Sequence, residues 1–175
     1  MSRSTISTFK LFELFPDEPT ARTYLEGRLW PSGPICPTCK STERLTPRKD
    51  GFYRCNACQI DFTVRTRTIF ERSHVPLHKW LYSMYLLVTA RKGISSLQLA
   101  KEIGVTQKTA WFILGRLREA CSGIDLGKLA GIVEVSRELE ILDKVTDVVL
   151  AYRPGSKAKK ARQRKKAPRR KRVEK

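Results

Sequence analysis

The chain has 175 residues, room for one ordinary domain or two small modules. Met1–Lys10 lacks the apolar core and cleavage site of a secretory signal, and the most apolar stretch, Trp80–Ala90, is far short of the roughly 20 residues that span a bilayer. Those absences predict a soluble cytoplasmic protein with no membrane partner, and 35 Lys and Arg against 17 Asp and Glu favour a polyanionic partner, nucleic acid being the commonest.

The charge is unevenly spread. Arg153–Lys175 holds thirteen basic residues and one acidic residue, Ile35–Arg72 is +4, Leu77–Ala120 is +5, and Cys121–Tyr152 is −3. A soluble surface with a solvated tail would give the same totals, so the motifs must decide.

Residues 1–34 read as an N-terminal helical arm, helical from about Ser7 to Leu29, with Asp17 capping its second helix. Residues 35–72 follow as a ribbon. Cys36 and Cys39 form one C-x-x-C knuckle, Cys55 and Cys58 the next, with fifteen residues between. Such spacing matches a tetrahedral all-cysteine zinc site. Each short knuckle turns two sulfurs toward one ion, and the linker returns as a hairpin. Four protein ligands leave no open position, so one structural zinc is expected. Disulfides are disfavoured in an intracellular chain, and redox thiols by two evenly matched knuckles.

Strands are predicted over Arg44–Lys49, Phe52–Arg54 and Ile60–Arg65, with Asp50 and Gly51 at the first turn. In the third run Ile60, Phe62 and Val64 alternate with Asp61 and Thr63, as a half-buried strand does. So small a sheet needs its metal. Cys121, at the end of a helix, reads as a small buried residue and not a fifth ligand. His74 and His78 read as ordinary surface or helix-start residues with no chemistry.

Residues 73–121 read as a helical unit. Leu77, Trp80, Leu81, Met84, Leu87 and Val88 recur at helical spacing from Leu77 to Thr89. A second helix begins at Ser95, with Gln98 as its capping-box partner, and ends at Gly104. Its apolar positions are Leu97, Leu99, Ala100 and Ile103. Thr106 caps a third helix that runs to about Ala120. Ala110, Ile113, Leu114 and Leu117 form its buried stripe, with Trp111 beside it. Trp30, Trp80 and Trp111, each among apolar neighbours, read as core anchors and not base-stacking platforms.

The run LQLAKEIGVTQKTAWFILGRLREA has the form of a helix-turn-helix. In that motif the N-terminal residues of the second helix face base edges in the major groove. Here these are Thr106, Gln107, Lys108 and Thr109; Gln107 suits adenine, and Lys108 guanine or a phosphate. Arg116 and Lys101 are placed for backbone phosphates. A plain helical hairpin with a charged outer face would share the pattern. The adjoining ribbon and the positive charge favour double-stranded DNA.

Ribbon and helix-turn-helix together resemble the insertion-sequence transposases with an N-terminal zinc ribbon, the ISXO-like DDE group. The shared text is FPDEPTARTYLEGRLWPSGPICPTC, FYRCNACQIDFTVRTRTIFERSHVPLHKW and KGISSLQLAKEIGVTQKTAWFILGRLREA, and the resemblance spans roughly Phe15 to Val135. It implies that an RNase H-like domain should follow, opening with a motif like GIVEVDETY whose Asp holds catalytic metal. This chain reads GIVEVSRELE, so Ser136 stands where that acid belongs. Two-metal chemistry needs carboxylates, and serine supplies no charge. Residues 122–152 therefore read as a remnant of the start of a catalytic domain, with Glu134, Glu138, Glu140, Asp143 and Asp147 as solvated charges. Residues 153–175 read as a disordered basic tail.

The sequence thus predicts an α+β protein: a small β zinc ribbon, a helical helix-turn-helix unit and a basic tail. The expected function is recognition of an element's ends by a truncated transposase relative that lacks its catalytic domain and has no catalytic residues of its own. Two alternatives stay open: a stand-alone transcriptional regulator or transposition inhibitor, and the DNA-binding part of an active transposase completed by frameshift or a second chain. A homodimer or a full-length transposase is the partner chain to consider, and a bacterial host would make the protein nucleoid-associated.

Overall fold

The structure, a computed structural model, describes residues 8–90, 93–122 and 138–153. Helix α1 (Thr8–Leu14) leads into α2 (Glu18–Leu29). The Asp17 carboxylate caps α2 as expected, accepting from the Thr20 N–H at 2.9 Å and the Thr20 hydroxyl at 2.6 Å. Those two bonds, the hydroxyl's first, hold the Asp17 carboxyl below its ordinary value. Ala21 and Leu25 turn the inner face of α2 into the core.

Strands β1 (Leu45–Pro47), β2 (Tyr53–Cys55) and β3 (Asp61–Phe62) form one antiparallel sheet in the order β1-β2-β3, with Thr46 opposite Arg54 and Arg54 opposite Asp61. At the first turn Asp50 and Gly51 take φ of 59° and 73°, and the Phe52 N–H closes on the Lys49 carbonyl at 3.2 Å. Asp tolerates this left-handed region and Gly suits it. A Cβ at Gly51 would also lie 2.4 Å from Arg22 Cδ.

Strands β1 and β3 are shorter than predicted, for local reasons, while β2 keeps its predicted length one residue on. Pro47, closing β1, has no N–H to donate. After Phe62 the chain turns away, because the Thr63 N–H is taken by the Thr66 hydroxyl and the Thr66 N–H returns to the Thr63 carbonyl. Phe62 and Val64 are buried as the alternation requires, but Ile60 is exposed.

From Thr63 to Pro76 no regular element forms, and two arginines organise the backbone. Arg116 donates to the carbonyls of Ile69 and Glu71. Arg65 donates to those of Ser73 and Val75 at 2.9 and 3.0 Å and pairs with Glu18 at 2.5 Å. Side chains thus supply the donors that a ladder would otherwise provide.

Helix α3 (Leu77–Thr89) is the central post, buried on nearly every side. Trp80 is fully buried edge-on to Phe70, with ring centroids 5.3 Å apart. Helices α4 (Ser96–Ile103), α5 (Gln107–Ala120) and α6 (Glu138–Ala151) pack around it, and α6 also contacts α2 and α5. The predicted caps hold. The Ser95 hydroxyl accepts from the Gln98 N–H, the Thr106 hydroxyl accepts from the Thr109 N–H, and Gly104 ends α4 at φ 61°.

Three expectations are corrected here. Leu97 is 57% exposed and Trp111 68%, so neither joins the core. Each residue turns a helix by about 100°, which carries Trp111 well round from Ala110 and Leu97 away from the face shared by Leu99 and Ile103. The third concerns α6. Leu142, Val145, Val149 and Leu150 form a buried stripe, and two of its acids, half-buried Asp143 and exposed Asp147, are paired with residues of α2. The Tyr24 hydroxyl donates to Asp143 at 2.5 Å, and Arg28 donates to Asp147 through Nε and Nη2 at 3.0 and 2.5 Å. A helix already holding an apolar stripe at i, i+3, i+7 and i+8 brings those acids against α2. Glu134, Ser136, the side chains of Glu138 and Glu140, and residues 154–175 of the basic tail lie outside what the structure describes.

Candidate metal centre and nucleic-acid interface

The four knuckle cysteines converge. Their sulfurs all lie within 4.8 Å of one another, with Cys36 Sγ 3.6 Å from Cys58 Sγ and Cys39 Sγ 3.4 Å from Cys55 Sγ. Four thiolates about 2.3 Å from a tetrahedral ion stand about 3.8 Å apart, so the set fits one zinc. Cys36 and Cys55 are buried, Cys58 is half-buried, and Cys39 is exposed.

The two knuckles repeat one backbone design. The Cys36 N–H donates to the Ser41 carbonyl at 3.1 Å, and the Cys55 N–H donates to the Ile60 carbonyl at 3.0 Å. The residue after each knuckle, Lys40 and Gln59, takes φ 60°. The amides inside the turns then face sulfur. The Cys58 N–H, helped by the Ala57 N–H and the Cys39 thiol, holds the Cys55 thiol down to about 6 against the effect of burial. At Cys36 burial acts upward, but the N–H groups of Cys39 and Thr38 outweigh it and its thiol is lowered. Cys58 is pushed up to about 12 by burial and the neighbouring sulfurs. Amide donors aimed at sulfur favour the thiolates that bind metal.

A small apolar cluster backs the sulfurs. Trp30 meets Tyr53 and Phe62 edge-on at 5.6 and 5.8 Å, and Tyr53 stacks on Phe62. The Tyr53 hydroxyl donates to Glu26 at 3.1 Å, tying α2 to the sheet. Trp30 is a half-buried anchor of this cluster, as expected of it. Cys121 is buried in the helical core apart from the sulfurs, and burial raises its thiol.

Helices α4 and α5 stand as consecutive helices joined by the tight Gly104 turn, which Lys79 braces through Nζ to the Gly104 carbonyl at 3.3 Å. Ala110, Ile113, Leu114 and Leu117 anchor the inner face of α5. The outer face begins with Thr106, Gln107 and Lys108, all exposed, and continues one turn on with Trp111. Lys101 is exposed on α4. Thr109 is half-buried, its N–H and hydroxyl both engaged with Thr106 in the cap.

Arg116 is placed differently from its expected phosphate role. Its guanidinium is bound to the Ile69 and Glu71 carbonyls and lies 4.4 Å from the Phe112 ring centre, and burial lowers it from its ordinary value. It organises the segment before α3. Trp111 is also placed wrongly by sequence reasoning. The signal was available in its offset from the Ala110, Ile113, Leu114 and Leu117 stripe.

Residues 16–60 match the family described as a transposase zinc-ribbon domain. That span takes in α2, β1 and β2 and ends just before β3, with α2 joined to the sheet through Tyr53, Glu26 and Trp30. The chain is also 33% identical over 103 residues to an uncharacterized protein in transposable element ISH50 of Halobacterium salinarum. The match takes in 55% of this chain and 33% of that protein. No solved structure matches the chain. Ribbon and relative both show similarity to proteins of transposable elements.

Proposed function

We propose that this chain recognises double-stranded DNA through α5, as the part of a transposase-type protein that locates the ends of its element. One observation carries the reading: the capped N-terminus of α5 presents Gln107, Lys108 and Trp111 together on its solvent face. That is the end of a helix-turn-helix that enters the major groove. The free N–H groups there favour anions. Gln107 pairs with adenine, Lys108 with guanine or phosphate, and Trp111 offers an apolar face to thymine methyl groups. Lys101 supports the docked duplex from α4.

The zinc holds the ribbon and takes no part in strand chemistry, since four thiolates fill its coordination. We further propose that these 175 residues do not cleave DNA by themselves. Ser136 stands where the resembled family has a metal-binding acid, and Asp143 and Asp147 are engaged by Tyr24 and Arg28.

The reading is tested with the Gln107→Ala and Lys108→Ala variants on element-end and random duplexes. Each should lose about 1–3 kcal/mol on the cognate duplex and little on random DNA. Equal losses on both, or none, would reduce α5 to a structural helix. Magnesium- or manganese-dependent strand cleavage by the purified chain, abolished on mutating its own carboxylates, would overturn the second proposal.

A further inference from the structure

Between the ribbon, the segment before α3, the middle of α5 and the end of α6 lies a cleft of about 880 Å³. Its walls carry Lys40, Arg67, Arg72, Arg116 and Arg153 against a single carboxylate, Glu71. Three of these cations are structural in their own right. Arg116 binds the Ile69 and Glu71 carbonyls, Arg67 donates to the Pro37 carbonyl at 2.6 Å, and Arg153 donates to the Leu150 carbonyl at 2.7 Å. The side chains of Lys40 and Arg72 are exposed and make no hydrogen bond or ion pair with the described residues.

The backbone beneath them is unusual. Among the described residues five non-glycine residues take positive φ, and three of them, Lys40 (60°), Arg67 (60°) and Arg72 (58°), are cations of this cleft. Glycine or asparagine is the ordinary occupant of that conformation. A long basic side chain there gives up local backbone ease. Packing does not explain Lys40 or Arg72, because neither side chain is buried or paired. Arg65 and Arg116 pin the carbonyls on either side of Arg72 and so fix where its side chain starts.

We infer that this cationic cleft is a second DNA-contact surface, which grips the phosphate backbone of the duplex whose bases α5 reads. The inference rests on the α5 reading above. Three further facts favour a duplex backbone as the occupant. Five cations against one carboxylate come from elements far apart in sequence. Arg116, on the cleft wall, lies eight residues beyond Lys108, about 12 Å along the same helix and comparable to a major groove's width. The basic run of the sequence starts at Arg153, on the cleft's rim.

The test replaces Lys40 and Arg72 by glycine, singly and together, in the zinc-loaded full chain. Glycine suits φ near 60°, so melting temperature and zinc content should hold or improve. DNA affinity should fall about five- to tenfold per residue near 0.1 M salt, equally on element-end and random duplexes. The slope of log affinity against log salt should drop by about one unit per replacement. Lys40→Gln and Arg72→Gln, which keep a side chain, should lose affinity to the same degree should a glycine variant fold poorly. Unchanged affinity and slope in the stable double variant would overturn the cleft as a DNA surface. Such a result, with Lys108→Ala still losing its preference, would leave the α5 reading intact. A chain that binds no duplex at all would overturn both.

Discussion

Cys55 is buried, its sulfur 3.4 Å from that of Cys39 and surrounded by amide donors. Cys55→Ser removes one thiolate of four, and in so small a sheet metal binding is most of the folding energy. The variant should bind far less than one zinc per chain and lose the ribbon's ordered signals, while the α3–α5 helices keep theirs. Metal analysis with circular dichroism checks this, and an intact ribbon without zinc would contradict it. Trp111 poses the opposite case. At 68% exposure, Trp111→Ala should change stability by no more than about 0.5 kcal/mol. It should still cost about 1–3 kcal/mol of binding to a thymine-containing site. Denaturant melts and binding titrations of the one variant separate these effects. Knuckles and caps were legible in the sequence because their determinants lie within a few residues: C-x-x-C, Asp17, Ser95, Gly104 and Thr106. Trp111, Leu97 and Arg116 were misplaced because helix rotation and partners distant in sequence set their surroundings, as Arg116 with Ile69 and Glu71 shows.

Among the elements, α6 changes the picture most. Its sequence lies beyond Val135, where the resemblance stops, yet its stripe of Leu142, Val145, Val149 and Leu150 closes the core against α2, α3 and α5. Leu142→Ala should destabilise the helical body by about 2–5 kcal/mol, the cost of a large buried side chain, whereas a change at exposed Lys144 should be near neutral. Equal, small effects at both would mean that α6 is not part of the cooperative unit. The Asp147–Arg28 pair is half in solvent and contributes little beside that burial. Helix α5 carries a different signature. Gly115 sits on its outer face, and a Cβ there would meet nothing within 4 Å. Gly115→Ala should therefore stabilise the helix by about 1 kcal/mol, read as a higher melting midpoint. The existence and ends of α2 to α5 followed from apolar spacing and caps. The packing of α6 did not, because an amphipathic stripe alone does not name the surface that covers it.

On the scale of the whole molecule, charge and shape give two kinds of DNA contact. On the proposed reading, the N-terminus of α5 would read bases, and the cationic cleft with the sequence's basic tail would engage phosphates without reading them. Deleting residues 154–175 should lower affinity for all duplexes alike and flatten the salt dependence by about one unit for each phosphate the tail had neutralised. An unchanged slope would make the tail inert. No described helix is long and apolar enough to cross a membrane. The most direct test is to titrate the zinc-loaded chain with duplexes from its element's ends and with scrambled duplexes of the same composition, at two salt concentrations. Recognition through α5 requires at least about tenfold tighter binding to the element ends, falling toward the scrambled value in Gln107→Ala and Lys108→Ala. Equal affinity for both duplexes, or a preference untouched by those two substitutions, would contradict it.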